Sequence, residues 1–261
     1  MLATLHGPAD DPAIAMLSTW DPYLPGFDLG LQQLVASAHK RGMTPVAVLL
    51  DPPPAVFINA PGEWPVYSDV RARLEWLRRR GATVISIEFS RDDLAFAADE
   101  FFDVVCPLVD LREFWLKYRQ TVGSGPRGSG VGTTLSAVRR GIKVVGLPPD
   151  DLGAEAVAVR QLLRAGAVGK AAELVGRAPV FARPRDGRVR MAWLEGVYHM
   201  APCGSALPPR PLRWPISVDC RPSSHGELEW QWPDPRIPYL AVLWGPGDAQ
   251  GTSLAPQSVD A

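Results

Sequence analysis

Histidine and cysteine are scarce in this chain, with four of the first and three of the second in 261 residues. Cys106, Cys203 and Cys220 are odd in number and far apart. They form neither a CxxC metal motif nor a disulfide framework, and they suit a reducing compartment. Long apolar runs are lacking too: none approaches the roughly 18 residues of a membrane span. The N-terminus, MLATLHGPADDPAIAM, has no basic head before an apolar core, so no secretory signal is read there. The expected location is the cytoplasm, away from membranes. A strong charge of one sign is also missing. The formal net charge is −1 and the isoelectric point about 6.4, so bulk charge implies no nucleic-acid partner.

What is present is enough apolar residue, 46% of the chain, to build a sizeable core. The first two thirds alternate short apolar runs with helical patterns. Leu31 to Lys40 carries apolar residues at 31, 34, 35 and 38, one helical face, and Gly42 closes it. Thr44 to Leu50 is a buried parallel strand by composition. A helix is predicted over 69–80, ended by Gly81, and a strand over 82–89. Further helices are predicted over 94–105 and 135–140, a strand over 142–147, and one or two helices over 154–175 broken near Gly166. This alternation predicts an α/β fold with a doubly wound parallel sheet. Ligands of such sheets sit at the carboxyl ends of the strands, which directs attention to Asp28, Asp51, Phe89 and Gly146.

Composition changes near residue 178. Beyond it proline is dense, and Trp193, Trp214, Trp230, Trp232 and Trp244 follow one another. Short strands, edges and turns are expected there, with a hairpin turn at Asp186-Gly187. The expected domains are 1–177, a Rossmann-like α/β domain; 178–247, a small β-barrel-like module; and 248–261, a polar disordered tail.

Five stretches taken in order resemble one family, the bifunctional bacterial riboflavin kinase/FAD synthetases, whose N-terminal module is an FMN adenylyltransferase of nucleotidylyltransferase fold. They are GFDLGLQQL from Gly26, LDPPPAVF from Leu50, IEFSRDDL from Ile87, the glycine-rich VGSG to GT from Val122 to Thr133, and VRQLLRAGAVGKAAELVGR from Val159. The resemblance implies AMP transfer from ATP to FMN with magnesium. It places Gly30, Asp51, Gly123, Gly125 and Arg160 around a flavin or nucleotide.

The chemistry of that family is depleted here. The histidine pair of its first loop is replaced at Asp28 and Leu31, and Asp28 adds negative charge where a triphosphate would sit. The Asp-Pro-His-Pro pattern reads Asp51-Pro52-Pro53-Pro54. The hydroxyl run before Arg160 is lost, and Arg160 alone could equally be a surface arginine. His6 and His39 are the nearby histidines, and His39 belongs at a helix C-terminus. The expectation is therefore a divergent FAD-synthetase-like protein with no catalytic residue assigned, retaining at most flavin (FMN or FAD) or nucleotide binding, with ATP and magnesium used only if relocated groups keep it active. The alternative is an interaction protein, a pseudoenzyme holding a protein partner through the Trp-rich module. The glycine-rich stretch reads either as a phosphate cradle or as a surface loop, the second being the simpler. Arg71, Arg73, Arg78, Arg79 and Arg80 read as a solvated helix face, with an RNA-binding face as the weaker option.

Overall fold

The computed structural model describes residues 1–9, 11–18, 25–58, 67–117, 122–123, 130–147, 152–183, 188–191, 195–203, 216–222, 228–234, 236–237 and 239–248. The chain divides into two compact units, Met1–Val157 and Ala158–Ala261. The boundary falls some twenty residues before the expected one at 177/178, because the second half of one long helix and the helix after it go with the C-terminal β structure.

In the first unit the strands are β1 (Leu2–His6), β2 (Ala13–Ser18), β3 (Thr44–Asp51), β4 (Thr83–Glu88), β5 (Leu111–Leu116) and β6 (Lys143–Gly146). Its helices are α1 (Pro25–Lys40), α2 (Ala55–Ile58), α3 (Val70–Arg79), α4 (Ala98–Val105) and α5 (Gly130–Arg139). The sheet order is β1-β4-β3-β2-β5-β6, with every pairing parallel except that of β1 with β4. The α/β expectation therefore holds as a six-stranded, mostly parallel sheet. Its two faces carry separate cores. Leu31, Leu34 and Ala38 of α1 and Leu77 of α3 cover one. Phe101, Phe102 and Val105 of α4 and Ala137 of α5 cover the other. Alternate residues of β3 feed each face, Val46 and Val48 one and Ala47 and Leu49 the other, as the two-residue period of a strand requires.

Three strands escape the sequence pattern. β1 looked unpatterned but pairs along its whole length with β4 as an antiparallel edge. β2, the short run AIAMLS, is buried at every position and lies at the centre of the sheet. β5 carries Arg112 and Glu113, which obscured its apolar run. Glu113 is buried nonetheless, held by Arg41 Nη1 and Nη2 at 2.8 and 3.0 Å and by Lys143 Nζ at 3.3 Å.

That cluster fastens the end of α1 to β5 and β6. The Arg41 hydrogen bonds first, and then those from Trp115 and Lys143, hold the Glu113 carboxyl down from its ordinary 4.5 to about 2. A carboxyl depressed in the folded state adds stability above its unfolded pKa and loses it as pH falls through the folded one. Its two cationic partners are largely exposed, so solvent screens the pair and about 2 kcal/mol is expected rather than the full shift. Glu113→Gln will lower stability by that amount at pH 7. It will also flatten the fall in stability between about pH 4.5 and 2, measured by urea titration across that range.

The second unit contains the end of α6 (Leu152–Arg164), α7 (Val168–Val175), and the strands β7 (Val180–Ala182), β8 (Arg188–Met191), β9 (Gly196–Cys203), β10 (Ile216–Pro222), β11 (Leu228–Gln231) and β12 (Tyr239–Trp244). The strands form one sheet in the order β7-β12-β9-β10-β11-β8, antiparallel throughout. The turn expected at Asp186-Gly187 lies outside the described residues. Among the described residues, β7 pairs with β12 and β8 with β11. Asp248, expected to begin a disordered tail, is held by hydrogen bonds to the start of α7. Residues 249–261 lie outside the described set.

Candidate functional site

β2 is flanked on one side by β3 and on the other by β5, so the strand order reverses direction at β2. Crevices at such reversal points, beyond the carboxyl ends of the strands, take the ligands of open α/β sheets. α1 begins there. Its first turn contributes Phe27 and Asp28, both buried, and the Lys117 ammonium, just after β5, lies 5.4 Å from the Phe27 ring centre.

Asp28 is not the bare negative charge the sequence suggested. Its Oδ2 accepts from Arg80 Nη2 at 2.7 Å and from Gln32 Nε2 at 3.0 Å. The Arg80 guanidinium lies over the Trp76 ring at 4.3 Å, a cation–π contact that aims it at Asp28. Asp28 also favours the positive end of α1. Its Oδ1 is buried without a hydrogen-bond partner, and so is Arg80 Nε.

Asp51 ends β3 and is followed by a cis peptide bond to Pro52. Its Oδ1 accepts from Arg73 Nη2. Arg73 Nε donates to the Asp69 carbonyl at 3.3 Å, and Asp69 caps α3 through Ala72 N at 2.8 Å. Arg73 is the deeper partner: its side chain is 3% exposed and that of Asp51 29%. The remaining nitrogen, Arg73 Nη1, is buried with no acceptor. Buried polar groups almost always find partners; Arg73 Nη1 shares this lack with Asp28 Oδ1 and Arg80 Nε, and is the one that lies on a guanidinium paired at a strand's carboxyl end.

Arg73 and Arg80 are the residues that sequence reasoning misjudged, having placed them on a solvated face. A usable signal was there. They stand at i and i+7 around Trp76 and Leu77 at i+3 and i+4, the spacing of a buried helical stripe. Of the same run, Arg79 does lie outward, pairing with Glu75 at 2.5 Å.

The other expected residues are placed differently. A Cβ on Gly30 would point at Met16 Cε (3.4 Å) and Leu147 Cδ1 (3.6 Å), into the packing of helix on sheet. Gly123 has φ +91 and sits against the start of α4, where a Cβ would come within 2.8 Å of Ala98 N. The neighbouring Val122 N–H donates to Thr133 Oγ1 of α5 at 3.1 Å. The described edge of the glycine-rich stretch is thus a packed seat. Gly125 lies outside the described residues. Arg160 belongs to the second unit and is half-buried; burial, and then the charge of Arg164, lower its pKa. His39 is exposed in the last turn of α1. His6 shares a 2.7 Å hydrogen bond with Ser86 across β1 and β4. Trp230 and Trp232 are buried and stacked, ring centres 5.4 Å apart, in the core of the second unit.

With this geometry established, the chain matches no family model and no curated protein. It does match solved structures. One is a crystal structure described as a macrolide-efflux protein from Streptococcus pneumoniae, at 16% identity and a TM-score of 0.59, over 92% of this chain and 88% of that one. At that identity the likeness establishes a shared fold and nothing finer. It overturns the kinship read from the sequence. The matched structure is not described as a riboflavin kinase/FAD synthetase, no comparison supports that family, and the FMN adenylyltransferase function and flavin assignment fall with it. The short motifs that carried that kinship mark loop and helix starts common to many α/β sheets, so their order was weak evidence once the catalytic residues were gone. Among the described residues no helix is long and apolar enough to cross a membrane.

Proposed function

We propose that the first unit is a small-molecule-binding module whose ligand lies beyond the carboxyl ends of β2 and β3, with Arg73 holding an anionic group. The observation that carries this is the buried Arg73 guanidinium, which uses Nη2 and Nε and leaves Nη1 without an acceptor. A guanidinium presents its donors in a fixed fork suited to phosphate or carboxylate. Asp51 stands at the carboxyl end of β3, and the carboxyl ends of the strands are where open α/β sheets take their ligands. Phosphate-bearing molecules are the favoured class, since their several oxygens can accept from Arg73 without displacing every existing contact.

The test is a melting-temperature and calorimetric titration of the full chain with inorganic pyrophosphate, inorganic phosphate and a dicarboxylate. At a ligand concentration a hundredfold above Kd, about 2.7 kcal/mol of stabilisation is expected, and Arg73→Gln should abolish it. Wild-type protein that shows no saturable response to any of these anions would refute the proposal.

A further inference from the structure

The two members of the Asp51–Arg73 pair are unequally placed. Arg73 is buried almost completely, and Asp51 keeps nearly a third of its side chain open to solvent. Asp51 occupies Nη2 of the guanidinium, and Nη1 beside it has no acceptor. A carboxylate bound in the full fork geometry would take both nitrogens; Asp51 takes one. Its backbone is pinned where β3 ends, with its carbonyl accepting from Phe89 N at 2.9 Å, which limits how far the short side chain can advance over the fork.

We infer that Asp51 is an internal stand-in for the ligand's anionic group: its carboxylate holds Arg73 in the empty site, and an incoming phosphate or carboxylate group displaces it to take both terminal nitrogens. This rests on the binding site proposed above and adds to it a residue that sets affinity. The physical reason is charge. The arriving anion meets the like charge of Asp51 at close range and must compete for the same donor, so Asp51 weakens binding while keeping the free guanidinium from being buried unpaired. Discrimination follows as well. A ligand with a single weak acceptor cannot displace a carboxylate, whereas one with two or more anionic oxygens can. The site therefore rejects neutral ligands and weak acceptors.

The experiment measures inorganic pyrophosphate binding to the full chain by calorimetry, comparing wild type with Asp51→Asn and Asp51→Glu. The asparagine keeps an acceptor for Arg73 and removes the competing charge. The glutamate keeps the charge on a longer arm. Asp51→Asn is expected to bind about tenfold more tightly than wild type, and Asp51→Glu no more tightly. Should Asp51→Asn fail to fold, Asp51→Ser carries the same comparison. Wild type that binds while the neutral variant binds equally or more weakly overturns the stand-in role and leaves the site intact. Absence of binding in wild type overturns the site itself, and the inference with it. Tightening in both Asn and Glu variants also overturns the inference, since charge would then not be the cause.

Discussion

Substituting Gly247 by alanine will free the chain after β12 from α7 and cost the second unit roughly 3 kcal/mol. The cause is local and steric. A Cβ at 247 would overlap the carbonyl oxygen of Ala165 and come within 2.8 Å of its carbon and 2.9 Å of Gly166 C. All three atoms are backbone at the turn between α6 and α7, so no rotamer relieves the clash. Gly245 is equally confined, 2.5 Å from Gly166 O and 2.6 Å from Tyr198 Cε1 at its Cβ position. The two glycines let the chain lie flat on the turn, where Gly247 N donates to Gly166 O at 3.1 Å. They also deliver Asp248, whose carboxylate accepts from Gly169 N at 2.8 Å and Lys170 N at 3.3 Å in the first turn of α7. The same carboxylate takes Gly245 N at 2.8 Å. Losing that cap alone is worth about 1 kcal/mol, so Asp248→Ala should sit well below Gly247→Ala in effect. Hydrogen exchange of the α7 and β12 amides reads both variants. Equal protection in Gly247→Ala and wild type would show that the strap contributes nothing.

This strap also shows where sequence reasoning stops. GPGD before a polar run reads as the start of a disordered tail, and nothing local says that its aspartate caps a helix seventy-nine residues earlier. Elements with strong local periodicity were legible: α3, β3 and β4 fall where the apolar spacing puts them, with Asp69 and Gly81 marking ends, while α1 ends as expected before Gly42 but starts at Pro25, six residues ahead of the expected Leu31. β2 was not legible, because six small and apolar residues buried on both faces carry no alternation to detect. The candidate site was half legible. Asp51 was named from its place at a strand end, but its partner Arg73 was assigned to solvent by its charge. A long side chain buries its stem and pairs its head wherever a carboxylate waits, and only the fold shows where that carboxylate is. The family resemblance failed for a related reason. It rested on loop and helix starts that the α/β architecture itself demands, while the residues that would have distinguished one chemistry from another were missing.

Removing the Arg73 side chain should destabilise the first unit by about 3 kcal/mol, and the way this loss is recovered will say what the residue is for. Arg73→Ala leaves Asp51 without its cation and removes the Nε bond to the Asp69 carbonyl next to the α3 cap. Breaking a fully buried pair costs 3–5 kcal/mol, and the partial exposure of Asp51 argues for about the lower end. Replacing both partners by groups of similar volume, Arg73→Met with Asp51→Asn, should return most of the loss, because no charge is then stranded. Denaturant unfolding of the single and double variants gives the coupling directly. A double variant as stable as wild type, yet unable to bind pyrophosphate, would mean that the pair is kept for its ligand, since stability would not require it. A single Arg73→Ala variant that unfolds at the same denaturant concentration as wild type would sink the account of Arg73 as a buried anchor, and the ligand site built on it would go too.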